Sequence, residues 1–344
     1  MQTTPAHNNN FDFLRFLFAS FVIFSHSYAL MGDISKDPLF PPSGRVFSEI
    51  GVCGFFAISG YLIYQSLHRS SSLSSFIRKR LLRIVPGLFV AILFVTLIIG
   101  AVVSTYSTSA YFSNMGTWVY AFKNMLLIPG SSTLPGVFTS NPTTAVNGSL
   151  WTLRYELLLY GLLSLLYFVP VSKRRIIIPA ALAILLSCLF LSRYNLIPLN
   201  ASDQKFLYYF VVLGSYFLGG TLLSLFPEVL NKRKSILLLL STVIFLVSLF
   251  SFQKELTVFS VLSFTVMVIT FGLHFFPVLN FSKYTGDVSY GTYIYAYPIQ
   301  QALITWLHPG NVLALMLPAF LLSWIAGLLS WHLVEQKFIR RKQK

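Results

Sequence analysis

The sequence predicts an all-α protein that crosses a membrane about ten times, and three observations lead to this fold class. The 344 residues are 55% hydrophobic and only 10% charged, whereas soluble proteins contain about 25% charged residues. The mean hydropathy is +0.71. The apolar residues come in runs of about 17 to 25, the length that a helix needs to cross a hydrocarbon layer of about 30 Å. Together these features exclude an ordinary soluble protein.

Ten apolar runs are long enough to span a membrane. They cover residues 12–31, 46–66, 84–105, 149–169, 176–193, 206–226, 235–252, 256–275, 288–307 and 312–334. No internal repeat or heptad pattern accompanies them, and we expect residues 1–344 to form a single membrane domain.

The basic residues lie in alternate loops, which predicts the orientation of the chain. Seventeen of the 25 Lys and Arg residues follow the second, fourth, sixth, eighth and tenth runs, and only six lie in the other loops. Because cytoplasmic loops are enriched in Lys and Arg, both termini are expected in the cytoplasm. The net charge of +15 therefore reflects membrane topology, and we expect no nucleic-acid partner.

One predicted external loop is much longer than the others. It extends over residues 106–148, between the third and fourth spans, and contains an apolar piece at 118–129 that is too short to cross the membrane. We expect this loop to form a re-entrant or surface-lying lid.

The first span contains three ionisable residues, Asp12, Arg15 and His26. Arg15 and His26 are eleven residues apart, which on a helix is about three turns and roughly 16 Å, so both lie on one face. Asp12 is one turn before Arg15 and is expected to pair with it. Arg15 is thus predicted near the cytoplasmic surface and His26 about halfway across the membrane. Buried ionisable groups are costly and indicate functional sites.

A second buried ionisable residue is Glu156, predicted at a depth similar to that of His26. A histidine oriented by a carboxylate is a common general base, although a histidine that only packs against a neighbouring helix remains an alternative. A metal site is not expected, because no second histidine follows His26 by three or four residues. Three further groups near helix ends are expected to extend to the surface, namely His274, His332 and Glu335.

Arg80 and Arg83 lie at the predicted cytoplasmic end of the third span, three residues apart and just before Pro86. Such a pair suits phosphate groups, as in a coenzyme A thioester. A basic cluster at the end of a span also sets topology, and the sequence leaves both interpretations open.

Five segments resemble the motifs of a known family, the membrane-bound acyltransferase-3 proteins. They are DFLR at residues 12–15 followed by His26, FFAISGYL at 55–62, RLLRIVP at 80–86, SLWTLRYE at 149–156 and GDVSYGTY at 286–293. Each motif alone is weak, but their order along almost the whole chain is specific. The chain departs from many relatives at Ala296, where they have a histidine before a proline.

The resemblance implies an O-acyltransferase of the bacterial inner membrane that moves an acyl group, commonly acetyl, from cytosolic acyl-CoA to a hydroxyl of an envelope or exported carbohydrate. It implies membrane lipid around the protein, no metal, and either a homodimer or partners in glycan export. We expect a stand-alone form, without the fused hydrolase-like domain of some relatives.

From the residues and the resemblance together we expect roles for individual residues. His26 would be the base, with Glu156, Arg15 and Asp12 as further catalytic residues. Arg80, Arg83, Arg15 and Ser59 would bind the donor, and Trp151, Tyr155 and Tyr290 the acceptor. Direct attack on the thioester and an acylated His26 both remain open. The alternative function is a proton-coupled transporter or flippase of a glycan or lipid intermediate.

Overall fold

The computed structural model describes residues 9–194, 196–199, 204–251 and 258–340, except the side chains of Arg193, Ser251 and Arg340. All regular structure within these ranges is helical, without strands. The first helices are α1 (Phe11–Leu30), α2 (Phe40–Ser43), α3 (Phe47–His68), α4 (Leu73–Phe94), α5 (Gly100–Val103), α6 (Thr108–Ser113), α7 (Met115–Met125) and α8 (Trp151–Ser164). The others are α9 (Val171–Arg193), α10 (Lys205–Leu223), α11 (Pro227–Ser251), α12 (Val258–Leu273), α13 (Ser282–Thr285), α14 (Ser289–Leu307), α15 (Val312–Ser330) and α16 (Gln336–Arg340).

Two π-helical segments interrupt the longest helical stretches. Val95–Ile99 joins α4 to α5, and Trp331–Glu335 joins α15 to α16. In both places the chain continues as one long helix.

Seven helical stretches of the described residues are long and apolar enough to cross a membrane. They are Phe11–Leu30, Phe47–His68, Leu73–Val103, Val171–Ser192, Lys205–Leu223, Pro227–Phe250 and Val312–Ile339. Val258–Leu273 and Pro277–Thr285 meet at a bend of 98° and would make an eighth span if counted together. The predicted all-α class is confirmed, and seven or eight of the ten predicted spans are supported.

The other two predicted spans coincide with helices of a different character. In the run 149–169, α8 has only 14 residues and is followed by a 3-10 turn at Leu165–Phe168. In the run 288–307, α14 has 19 residues, and most of them are buried within the protein. Its tyrosines and glutamines reduce its hydropathy. They are tolerated because a helix enclosed by other helices does not need a fully apolar surface.

The chain divides into two compact units, and the first contains the residues up to Phe18, Pro38–Ile77 and Tyr155–Lys283. Its core is the packing of α10 against α3, with α9, α11 and α12 beside them. A Cβ atom at Gly60 would collide with the carbonyl of Phe217, and one at Gly220 with the carbonyl of Ala57. Small residues therefore let the two helix backbones touch, as is typical of membrane helix pairs.

The second unit contains Ala19–Asp37, Arg78–Arg154 and Tyr284–Lys344. Here α14 packs along α15, where Gly291 and Gly327 lie so close that a Cβ at Gly291 would be 2.8 Å from the Cα of Gly327. The second half of α1 packs against this pair through Ile23 and Leu30. The unit thus places the half of α1 that contains His26 beside α14.

The long loop predicted at residues 106–148 is a folded part of the second unit. Its helices α6 and α7 and the following segment bury Tyr111, Tyr120 and Phe138 against Val95 and Ile99. The Tyr111 hydroxyl donates to the carbonyl of Thr96 at 2.8 Å. Burial raises the pKa of Tyr111 to about 12, so this hydroxyl remains a donor at neutral pH. The loop packs against the helix that precedes it through this apolar cluster, and its role as a lid stays a prediction.

Candidate functional site

His26 lies in the second half of α1, between the buried Ser25 and Ser27. Its ring packs edge-on against Tyr297 of α14, with centroids 5.2 Å apart and an interplanar angle of 83°. Its Nδ1 atom is buried and has no hydrogen-bond partner among the residues described. A neutral imidazole has one nitrogen that can accept a proton, so the ring is able to bind or deprotonate a hydroxyl group.

Tyr297 and Gln300 of α14 contact this part of α1, and Tyr293 lies one turn earlier on the same α14 face. Their spacing of four and then three residues places them on the same side of a helix. The Gln300 amide nitrogen donates to the carbonyl of Ile23 at 2.9 Å and to the hydroxyl of Ser27 at 2.8 Å. Gln300 therefore attaches α14 to α1 on both sides of Phe24–His26. Its Oε1 atom is buried and unpartnered within the described part of the chain.

The end of the long loop reaches the same face of α14. Asn147 donates to the carbonyl of Ile294 at 2.9 Å. A Cβ atom on Gly148 would be 2.8 Å from Cζ of Tyr297, so only glycine allows the chain to pass so close to this ring. The carbonyl of Ser149 accepts a hydrogen bond from the Tyr293 hydroxyl at 2.9 Å.

Ser149 also adds a third buried polar atom to this region. Its hydroxyl oxygen has no hydrogen-bond partner among the described side chains and backbone groups. A buried polar atom without a partner costs about 1–3 kcal/mol, and such atoms are usually paired. The unpartnered atoms of His26, Gln300 and Ser149 all belong to segments that pack around the Tyr293–Gln300 face, and they suit a polar ligand.

Hydrogen bonds fix the long loop to α14 one turn further on. Gln301 donates to the carbonyls of Thr143 and Ala145 at 2.8 and 2.7 Å. Asn141 donates to the side-chain oxygen of Gln301 at 2.9 Å, and Thr305 donates to Asn141 at 3.1 Å. The segment that leads to Ser149 is thus held along α14 by polar side chains.

Ala296, where many relatives of the resembled family have histidine, lies in an apolar environment. It is completely buried in a cluster with Ile23, Leu315 and Ala319. The position offers no polar partner from these neighbours.

The first unit contains a separate group of predicted site residues. The Tyr160 hydroxyl donates to the carboxylate of Glu156 and lies 3.5 Å from the hydroxyl of Ser59. Tyr155 is buried and stacks on Phe206 with ring centroids 5.2 Å apart. The hydrogen bond from Tyr160 keeps Glu156 in a polar environment within the helix bundle.

The predicted ion pair at the start of α1 is present. Arg15 Nη1 is 3.7 Å from Asp12 Oδ1, and both side chains are partly exposed. The pair belongs to the first unit, while His26 belongs to the second.

Arg83 is the centre of an ion cluster in the second unit. Its guanidinium donates to Asp287 at 2.7 Å and to Glu335. The rings of Tyr290 and Trp331 lie 5.4 and 5.7 Å from its central carbon, within the range of cation–π contacts. Arg83 therefore joins α4 to the start of α14 and to the π-helical segment after α15.

The position of Glu335 differs from the one that the sequence predicts. Its side chain is only 1% exposed and also accepts a hydrogen bond from Ser330 at 2.8 Å. The prediction that Glu335 extends to the surface is wrong, because the cation that pairs with it lies 252 residues earlier in the chain.

The remaining predicted site residues lie near these groups in the second unit. Arg80 is one turn before Arg83 on α4, and Trp151 is half-buried at the start of α8. The Tyr290 hydroxyl donates to the carbonyl of Ile84 at 2.8 Å. Across the described ranges, no group of three or more His, Cys, Asp or Glu side chains could hold a metal ion.

Comparisons with known proteins agree with this arrangement of motifs. A family model described as an acyltransferase domain matches residues 8–331. The O-acetyl transferase of Shigella phage Sf6 is 30% identical, over 97% of this chain and 97% of that protein. Nodulation protein 10 of Rhizobium leguminosarum bv. viciae is 36% identical over 47% of this chain and 45% of that protein. No solved structure gives a significant match.

Proposed function

Since the chain belongs to the acyltransferase-3 family and is an acyltransferase, we propose that it transfers an acetyl group from acetyl-CoA to a hydroxyl of a cell-envelope or exported glycan. The name of the Sf6 relative supports transfer of acetyl to oxygen. The apolar helices support a multi-pass membrane protein, for which we propose the bacterial inner membrane, with both termini in the cytoplasm.

His26 is the general base in this proposal. The observation that carries the assignment is its buried Nδ1 atom, which has no hydrogen-bond partner among the residues described. His26 takes the proton of the acceptor hydroxyl while the hydroxyl oxygen attacks the thioester carbonyl. The carbon–sulfur bond then breaks, and the proton passes to the leaving thiolate of coenzyme A. In the other route that the sequence leaves open, His26 attacks the thioester and releases the coenzyme A thiolate. The acceptor hydroxyl then attacks the acyl-histidine, and its proton passes to the thiolate.

The acceptor hydroxyl is proposed to bind beside the Tyr293–Gln300 face of α14. Ser149 and Gln300 each have a buried side-chain oxygen unpartnered in the described structure. Both oxygens can accept a hydrogen bond from a sugar hydroxyl, and the Ser149 hydroxyl can also donate one. Trp151, two residues after Ser149, is suited to stack on a sugar ring.

Arg80 is the proposed contact for the donor phosphates. Arg83 was predicted to share this role, but its guanidinium already binds two carboxylates. In the proposal Arg83 positions α4, and Arg80, one turn away, reaches the phosphate. The test is an Arg80→Ala variant, which should raise the KM for acetyl-CoA while leaving the KM for the acceptor unchanged. Arg78→Ala, at an exposed position of the same helix, is the control.

The other predicted roles stay predictions. Glu156 is predicted to orient the base, and Arg15 and Asp12 are predicted to act at the donor site. All three residues belong to the first unit. Ser59 contacts Tyr160, Tyr155 stacks on Phe206, and Tyr290 donates to the carbonyl of Ile84. Because their side chains already make these contacts, the three residues suit the wall of a site better than a reacting group.

The experiment that tests the function uses purified protein in detergent with radiolabelled acetyl-CoA and an oligosaccharide acceptor. Transfer of the label to the oligosaccharide in the absence of any ion gradient supports the proposal. Substrate flux that needs a gradient in proteoliposomes, with no acetylated product, would instead support the transporter that the sequence left as an alternative.

A further inference from the structure

An apolar groove of about 450 Å³ lies within the second unit, between α4, α14 and α15. Its walls are formed almost entirely by hydrocarbon side chains, including Phe94, Ile98, Ile299, Leu303, Ile325 and Leu329. Trp306 lies toward the end that is nearest the C-terminus of α14, and Ser330 toward the opposite end. The candidate site residues His26, Gln300 and Ser149 do not line this groove, so it is a separate feature of the unit.

The dimensions of the groove match one lipid chain. Its lining extends along the helix from Val90 to Val102, which is about 18 Å at the rise of an α-helix. Half of a hydrocarbon layer of about 30 Å is about 15 Å. The groove therefore has the length of a hydrocarbon chain in one leaflet.

Both π-helical segments contribute to the walls. Ile98 and Ile99 come from Val95–Ile99, and Leu333 and Val334 come from Trp331–Glu335. A π-helical turn displaces the side chains that follow it, and such turns are frequent at functional sites. Two such turns border one cavity here, which favours a binding groove over a chance gap in packing.

The end of the groove at Trp306 indicates where the headgroup of a bound lipid would lie. Tryptophan is typical of the membrane interface, and Trp306 is 54% exposed. The preceding residue, Thr305, donates to Asn141 at 3.1 Å, in the loop segment that continues to Ser149. A headgroup at this end would therefore lie beside the segment that contributes to the candidate site.

We propose that this groove holds the hydrocarbon chain of the acceptor, so that the enzyme acetylates a glycan that is attached to a membrane lipid. This inference rests on the proposed function. A chain gains little hydrophobic free energy by leaving other lipid tails, so the groove selects it by shape and van der Waals contact. The chain anchors the glycan, and the hydroxyl approaches His26 along the loop segment.

The test compares one oligosaccharide in two forms, free and attached to a long alkyl chain. Ala326→Phe fills the groove, and Ala314→Phe adds the same ring at an exposed position of α15 outside it. We expect wild type to have a lower KM for the chain-bearing form. Ala326→Phe should raise that KM about tenfold, a size typical of one lost anchoring contact. It should leave the free form unaffected, and Ala314→Phe should change neither value.

A cross-linking measurement does not depend on activity, and it shows whether the hydrocarbon chain in the groove comes from the acceptor or from a phospholipid. A photoactivatable group is placed in the chain of the acceptor or in the chain of a phospholipid. The proposal is supported if the acceptor labels Ile98 or Ile325 and if Ala326→Phe reduces this labelling. The same result without any acetyl transfer would mean that the proposed function alone fails. Equal KM values for both acceptors, with labelling only by phospholipid, would overturn it. Leu322→Trp is the second groove-filling variant if Ala326→Phe does not fold.

Discussion

The imidazole of His26 meets the phenol ring of Tyr297 edge-on, with 5.2 Å between the centroids. This contact links the proposed base on α1 to α14. The same α14 face reaches the end of the long loop through Tyr293 and Ser149. The orientation of the base therefore depends on how α14 and the loop pack, and several variants test this dependence.

Tyr297→Ala should lower the rate of acetyl transfer, because the histidine ring loses the surface that orients it. Aromatic pairs contribute about 0.5–1.5 kcal/mol, which corresponds to a decrease in kcat of roughly two- to twelvefold. Tyr297→Phe retains the ring and should keep most of the activity. The measurement is kcat at saturating donor and acceptor. A Phe variant as slow as the Ala variant would show that the hydroxyl, and not the ring contact, is required.

Gly148→Ala should also lower kcat, since the new methyl group would collide with the Tyr297 ring. The ring would have to move away from the loop and would disturb His26. Gly161→Ala is the matched control, because a Cβ at this α8 position meets no atom within 4 Å. The control should be neutral or stabilising by about 0.5–1 kcal/mol, as for Gly to Ala in a helix. Equal transfer rates for the two variants and wild type would contradict the close contact at Gly148.

Gln300→Leu should destabilise the second unit, because it removes the two hydrogen bonds to Ile23 and Ser27. At about 0.5–1.5 kcal/mol for each bond, the loss in unfolding free energy is about 1–3 kcal/mol. Ser27→Ala removes one of these bonds and also the bond that the Ser27 hydroxyl donates to the carbonyl of Ile23, so it should have an effect of similar size. The free energy of unfolding in detergent is measured for both variants and for wild type. An unchanged stability of Gln300→Leu would show that these bonds do not hold α14 to α1.

Arg83→Met should be the most destabilising of these substitutions. It leaves the carboxylate of Glu335, which is 1% exposed, without its cation. Breaking a buried pair by removing one partner costs about 3–5 kcal/mol.

The double variant Arg83→Met, Glu335→Met should recover part of this loss, because the more deeply buried of the two carboxylates is then removed, although Asp287 still loses its ion pair with Arg83. Arg78→Met, at an exposed position of α4, should change stability by less than about 0.5 kcal/mol. Thermal unfolding compares the four proteins. If the double variant is no more stable than the single one, Arg83 does not act through Glu335.

Residues whose charge is unusual in a span could be found from the sequence alone. His26 and Glu156 stand out for this reason, Arg83 stands out as one of a basic pair at the end of a span, and the membrane class follows directly from the apolar runs. Tyr297 and Gln300 did not stand out, because neutral polar residues are common in membrane helices. Their signal was the spacing of four residues from Tyr293 to Tyr297 and of three more to Gln300, which becomes informative only when the partner helix is known.

Long-range pairing explains what the sequence could not show. Asp287 and Glu335 lie 204 and 252 residues from Arg83, so nothing local indicates that they neutralise it. The folded loop was equally hidden, because its buried Tyr111, Tyr120 and Phe138 are scattered without a helical period. Local patterns thus predicted the helices, and the contacts that complete the site depend on tertiary structure.

The most direct test of the central claim is the rate of acetyl transfer by His26→Gln, at saturating acetyl-CoA and acceptor. Glutamine is polar and similar in reach, but it cannot take a proton at neutral pH. General base catalysis typically contributes about 10²- to 10⁴-fold, so we expect a loss of at least about a hundredfold in kcat with an unchanged unfolding temperature. A folded His26→Gln variant that transfers acetyl within about threefold of the wild-type rate would contradict it.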